Sequence, residues 1–172
     1  METKSIESIC NEQVYAGVYR KLSQPILNMM YYKYGDIVQA EEVVQDAFIK
    51  LWENCSSVPI EKAKAFVYKV ANNFSLNKIK HQKVVLKYQK EHIKSSKSSD
   101  NPQFILEEKE FKHRLELAIN NLKEKERSTF LLHRIDGKTY QQIADLEGVS
   151  LKAIEKRMSN ALSALRKHID GI

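Results

Sequence analysis

The sequence predicts an all-α protein of two small helical domains joined by a flexible linker, the C-terminal one containing a helix-turn-helix. Three observations predict it. Strand-like alternation is absent, and apolar residues recur instead at helical spacing. The five Gly and three Pro among 172 residues fall mostly between these periodic segments. A polar run, Ser95-Ser96-Lys97-Ser98-Ser99-Asp100-Asn101-Pro102, divides the helical pattern and has no apolar face to bury.

The first helical stretch, residues 14–34, places Val18, Leu22, Ile26, Leu27 and Met30 on one side and is expected to be interrupted at Pro25. Gly35 and Asp36 then punctuate the chain before the clearest helix, residues 38–52. Its wide apolar stripe is Val43, Val44, Ala47, Phe48, Leu51 and Trp52, with Glu42, Gln45, Asp46, Ile49, Lys50 and Glu53 opposite. After a gap at 54–60, a further helix from about residue 62 to 79 carries Phe66, Val67, Val70, Ala71 and Phe74 on its apolar side. These three helices suffice for one small bundle, expected over residues 8–82. A basic and polar linker is expected over 83–103, and a second helical domain over 104–172.

In the last third, Ala144 stands four positions before Gly148 and Ile154 ten positions after Ala144. Helix-turn-helix geometry asks for this spacing. A small side chain permits the close helix crossing, glycine permits positive φ in the turn, and an aliphatic residue points back to the core. Ser150 suits the N-cap of the second helix. On a 3.6-residue wheel Ile154, Met158, Ala161 and Leu165 share one side; Lys152, Lys156, Ser159 and Ser163 lie opposite, with Arg157 and Asn160 at the margins. An apolar inner face with a cationic, hydroxylic outer face fits a helix that enters a DNA groove, although Glu155 on the flank repels phosphate.

Charge sharpens the picture. The net value of +6 is concentrated in residues 78–97, which hold seven lysines against Glu91 alone; residues 1–61 are net acidic, with Glu41, Glu42 and Asp46 close together. Such asymmetry suggests two different partners. No apolar run approaches a membrane span and the first residues do not resemble a signal peptide, so a cytoplasmic protein without membrane insertion is expected. Cys10 and Cys55 show neither disulfide-framework nor metal-site spacing and read as reduced thiols. With no Gly-rich phosphate loop, HExxH or nucleophile elbow, an enzyme is not expected, nor is a cofactor or a metal.

At this point the motifs resemble a known family. Ala40-Glu41-Glu42-Val43-Val44-Gln45-Asp46-Ala47-Phe48-Ile49-Lys50-Leu51-Trp52 is similar to the signature helix of region 2 in sigma-70 factors of the extracytoplasmic-function type. Ala65-Phe66-Val67-Tyr68-Lys69-Val70-Ala71-Asn72-Asn73-Phe74 resembles the helix that follows it, and the stretch from Leu115 through the helix-turn-helix resembles region 4. The resemblance implies a promoter-specificity subunit that binds core RNA polymerase and promoter DNA, held in check by an anti-sigma factor that in this family is often membrane-bound. It implies polymerase contacts at Glu41, Glu42, Gln45, Asp46 and Lys50, minus-ten contacts at Lys69, Asn72, Asn73 and Lys80, and capture of a flipped base by the loop at 54–60. Thr139, Tyr140, Ser150, Lys152, Lys156, Arg157, Ser159 and Asn160 are the implied minus-thirty-five contacts. This sequence departs from the family at Asn77, often Asp, at Lys80 and His81, often arginines, and at Gln142, Ala153 and Glu155. The competing reading is a helix-turn-helix regulator that binds duplex DNA without being a polymerase subunit.

Overall fold

The computed structural model describes residues 8–78 and 102–168, which form seven α-helices and one short 3-10 turn, with no strand among the described residues. Lys80 and all but the first residue of the basic stretch lie outside these limits. The helices α1 (Glu12–Tyr34), α2 (Ile37–Glu53) and α3 (Ala63–Lys78) make the first domain, with the turn Ile60–Lys62 leading into α3. The second domain holds α4 (Pro102–Asn120), α5 (Glu124–Arg134), α6 (Tyr140–Glu147) and α7 (Leu151–Arg166).

Local chemistry sets most boundaries. The Asn11 side chain accepts from the Gln13 and Val14 N–H groups and starts α1. Gly35 ends that helix in the left-handed region at φ 81°, where a Cβ is disfavoured, and its N–H donates to the Tyr31 carbonyl at 2.7 Å. Asp36 follows at once as the N-cap of α2, accepting from Gln39 N–H at 3.0 Å.

The expected break at Pro25 does not occur: α1 runs through it. Proline inside a helix removes a backbone hydrogen bond and costs about 3 kcal/mol. The adjoining turn buries Ile26, Met29 and Met30 completely, and each such side chain contributes roughly 1.5–3 kcal/mol. Packing therefore outweighs the local penalty.

A second correction concerns the cysteines. Cys10 and Cys55 form a disulfide, with Cα atoms 5.0 Å apart, across 45 residues of sequence. Local spacing carries no trace of such a pair because tertiary folding brings the turn before α1 against the segment after α2. Ile9, beside Cys10, is buried in the core.

The two domains share an interface. Helix α1 packs on α2 and α3 within its own domain and on α5 of the other, while α3 packs on α6. Buried apolar residues from Ile9 to Leu165 form one continuous cluster through both. Helix α5 is enclosed by α1 on one side and α7 on the other, which explains why its polar residues Glu126, Arg127, Ser128 and Thr129 are buried.

Candidate nucleic-acid interface

The helix-turn-helix forms as the spacing predicts. Thr139 caps α6 reciprocally: its hydroxyl accepts from Gln142 N–H at 3.2 Å, and the Gln142 side chain accepts from Thr139 N–H at 2.9 Å. Glutamine at 142 therefore supplies the same capping chemistry as the glutamate usual at that place. Ala144 is buried, Gly148 adopts φ 63° and Ser150 accepts from Ala153 N–H to start α7. Ile154, Met158, Ala161 and Leu165 are all buried, so the inner face of α7 is the one read from the wheel.

On its outer face Lys152, Glu155, Lys156, Ser159 and Ser163 are exposed. The marginal residues have partners within the fold. Arg157 pairs with the buried Glu147 at the end of α6, and Asn160 donates to Glu126 at 3.2 Å. Tyr140 is half-buried, its ring edge-on to His133 with centroids 5.0 Å apart. The candidate set on this domain thus divides: Thr139 and Ser150 cap helices, Arg157 and Asn160 brace neighbouring helices, and Lys152, Lys156 and Ser159 face outward.

In the first domain Glu41, Glu42 and Gln45 are exposed along α2, and Asp46 is half-buried. Glu41 and Gln45 line a cleft of about 250 Å³ between α1 and α2, together with Tyr19, Ser23, Gln24 and Leu27. Lys50 stands apart from these carboxylates. It pairs with Glu53 at 2.6 Å and lines a second cleft, of about 290 Å³, with Phe66, Val70, Asn73 and Phe74 of α3. The structure therefore groups Lys50 with the minus-ten candidate Asn73. Phe66 and Phe74 are partly buried against the core and form the apolar wall of this cleft.

Lys69 and Asn73 are exposed on α3, whereas Asn72 turns inward and accepts from Lys33 Nζ at 3.3 Å. Lys33 was not singled out from sequence. It is only 3% exposed, and its ammonium lies 5.3 Å from the Tyr68 ring centroid and 3.3 Å from the Tyr68 hydroxyl. Burial pushes its pKa down, and nearby Glu147 partly opposes that. The detectable signal was a single charge within Tyr31-Tyr32-Lys33-Tyr34, where neighbours on either side are apolar or aromatic.

With this geometry in place, comparison with known proteins decides the family. Residues 18–84 match Sigma-70 region 2, and residues 112–165 match Sigma-70, region 4. The chain belongs to the sigma-70 family. Relatives of this sigma factor include the ECF RNA polymerase sigma factor SigW of Bacillus subtilis, 22% identical over 92% of this chain and 90% of that protein. RNA polymerase sigma factor YlaC of the same organism is 23% identical over 88% and 90% of the two chains. ECF RNA polymerase sigma factor SigK of Mycolicibacterium vanbaalenii is 21% identical over 90% and 81%. These likenesses place the sigma factor among the extracytoplasmic-function members. Its fold is similar to that of the sigma factor RpoE of Bartonella quintana, solved in complex with the anti-sigma factor NepR, at a TM-score of 0.52 and 17% identity over 89% of this chain and 94% of that one.

No helix among the described residues is long and apolar enough to cross a membrane. No group of three or more His, Cys, Asp or Glu placed to hold a metal occurs among them either.

Proposed function

We propose that this sigma factor directs transcription initiation by binding core RNA polymerase through α2 and recognising two promoter elements, the minus-ten element through α3 and the minus-thirty-five element through α7. It acts in the cytoplasm as a non-catalytic subunit, with an anti-sigma protein as its natural inhibitor. One observation carries the reading: two sigma signatures stand in order on one chain, and their outward faces carry opposite chemistry. The face of α2 presents Glu41, Glu42 and Gln45 beside exposed Val38 and Ile49, which repels phosphate and suits a cationic protein surface. The face of α7 presents Lys152, Lys156 and Ser159, which suits a DNA groove.

Within this scheme Glu41, Glu42, Gln45 and Asp46 meet polymerase, and Lys50 sits where α2 meets the DNA-facing side of α3. Lys69, Asn73, Asn72 and Lys80 serve the minus-ten element, and Lys152, Lys156 and Ser159 serve the minus-thirty-five element most directly. Thr139, Tyr140, Ser150, Arg157 and Asn160 hold that face in place and lie at its border.

Reconstitution with core polymerase tests this. The expected result is open complexes at a promoter bearing both elements, with Lys152→Ala and Lys156→Ala weakening dependence on the minus-thirty-five element. Removing either lysine's pairing with a phosphate should also reduce the salt slope of binding by about one. Specific duplex binding by the protein alone, without association with core, would establish the regulator reading instead.

A further inference from the structure

We propose that Cys10 and Cys55 form a thiol–disulfide exchange site that sets the strength of minus-ten recognition, the oxidised chain reading that element more tightly than the reduced one. Its partners are a dithiol reductant in one direction and a peroxide in the other. The regulatory consequence rests on the promoter-recognition reading above; the exchange site is read from the bond and its surroundings.

Cys55 stands in the loop at 54–60, to which the family resemblance gives capture of a flipped base. Cys10 lies in the turn before α1, where its N–H donates to Ser8 Oγ at 3.2 Å. Both cysteines are outside the helices, Cys10 directly before the N-cap Asn11 and Cys55 directly after the C-cap Asn54. The two helices hold each other without the bond: Tyr15 Oη of α1 donates to the Phe48 carbonyl of α2 at 2.8 Å, and its ring lies edge-on to Phe48 and Trp52. Opening the disulfide therefore releases the loop from the N-terminal turn and leaves the helix pair packed. Within the loop, Cys55 N–H donates to the Trp52 carbonyl at 3.1 Å, and Ser57 and Val58 N–H donate to the Asn54 carbonyl at 3.0 and 3.1 Å. Those bonds are local to α2 and the loop, whereas the disulfide adds an anchor 45 residues away in sequence.

Cys10 is exposed and Cys55 half-buried, so an attacking thiolate reaches the Cys10 sulfur first. A bond forms to Cys10 Sγ as the Cys10–Cys55 bond breaks, and the electron pair leaves on Cys55 Sγ, which takes a proton. The second thiol of the reductant then displaces Cys10. The net result is two thiols on the protein and a disulfide on the reductant. In reverse, peroxide accepts two electrons: it converts the Cys10 thiol to a sulfenic acid with loss of one water, and Cys55 attacks that sulfur with loss of another. Disulfides in the cytoplasm, where this sigma factor is proposed to act, are rare and mostly transient or redox-sensing, which fits an accessible bond at a binding loop. The sense of control follows from preorganisation. A loop ordered before the base arrives loses less entropy on capture, and fixing one or two residues in advance changes affinity about tenfold.

The test uses the full chain on core polymerase, with promoter DNA bearing an intact or a scrambled minus-ten element. The oxidised holoenzyme should bind the intact promoter about tenfold more tightly than the holoenzyme reduced with dithiothreitol, and both should bind the scrambled one alike. Cys10→Ser keeps every loop residue; it should match reduced wild type and not respond to dithiothreitol, which controls for effects on core. Glutathione should leave a mixed disulfide on Cys10, seen by mass spectrometry; an adduct on Cys55 overturns the order of attack. A bond that resists dithiothreitol in the folded protein overturns the exchange site, and equal or tighter binding by the reduced form overturns its regulatory role. If neither form distinguishes intact from scrambled DNA, the promoter-recognition reading fails and the regulatory role with it, while access of dithiothreitol still decides the exchange site. Should Cys10→Ser not fold, wild type assembled on core while oxidised and then reduced gives the same comparison, with the scrambled promoter as control.

Discussion

Lys33 shows how one side chain couples burial to pH. Its pKa is lowered first by desolvation, with Arg157 and Lys125 adding to the shift and Glu147 and Glu124 opposing it. The folded chain therefore binds this proton less tightly than the unfolded chain. Stability on this account is lowest while Lys33 is charged in the fold and grows as pH rises toward the ordinary lysine value of 10.5. Tyr32 and Tyr68 act in the other direction: burial, aided by Asp136 at Tyr32 and by Glu147 at Tyr68, raises their pKa. Above about pH 10 the unfolded tyrosines ionise while the folded ones do not, and stability falls. Calorimetry should thus show a melting temperature that climbs as pH approaches about 10 and then declines. Lys33→Met should flatten the climb, leaving only the smaller share due to half-buried Lys64, whose pKa burial also lowers, and should keep the decline. A variant with the same rising limb as wild type would show that Lys33 is not its source.

At the scale of elements, the disulfide has a large expected stability effect. Closing a loop of this length in the unfolded chain is worth about 3–4 kcal/mol on the chain-entropy account. Urea unfolding should therefore show a stability lower by that amount, with its midpoint at lower denaturant, on reduction or in Cys55→Ser, and thiol reagents should label the folded protein only after reduction. Equal midpoints with and without reductant would refute the covalent link. The bond also ties Ile9 and the start of α1 to the segment ahead of α3, so its loss should loosen the first domain before the second. Neither this pair nor the continuity of α1 through Pro25 was legible in the sequence, since both depend on packing between distant segments. The helix-turn-helix was legible because Ala144, Gly148, Ser150 and Ile154 act within one short span, through φ, capping and helical period. Trp52 lay between these cases. It belongs to the stripe of α2 but sits at its edge, 41% exposed and edge-on to Tyr15. The candidate DNA-facing residues divided in the same way: Lys152 and Lys156 face outward as the wheel required, but Arg157 and Asn160 have partners on α6 and α5, which no periodicity announces.

For the whole molecule, the question is whether two domains of about 70 residues, each near the lower limit for an independent core, behave as one. Their polar contacts are widely separated in sequence, with Asn28 and Asp136 108 residues apart and Tyr32 and Arg127 95 apart. Such contacts form only after both domains have folded, so they should add to stability without guiding early steps. They do, however, create a line of packing from α7 through α5 to α1. Ile154, fully buried in α7, lies at the far end of that line. Ile154→Ala should cost about 2–5 kcal/mol through the cavity it leaves. If the interface couples the domains, amides in the last turns of α1 should lose hydrogen-exchange protection in this variant. Their exchange should follow opening of the bonds that Arg127 of α5 donates to the Tyr32 and Lys33 carbonyls, and those bonds are only as stable as the α5 framework carrying them. Independent domains predict a different pattern, with faster exchange confined to α4–α7 and unchanged rates in α1. Adding Asn28→Ala and Tyr32→Phe, which remove the donors to Asp136 between α5 and α6, should weaken the transmitted effect, because part of the route by which damage in α7 reaches α1 would already be broken.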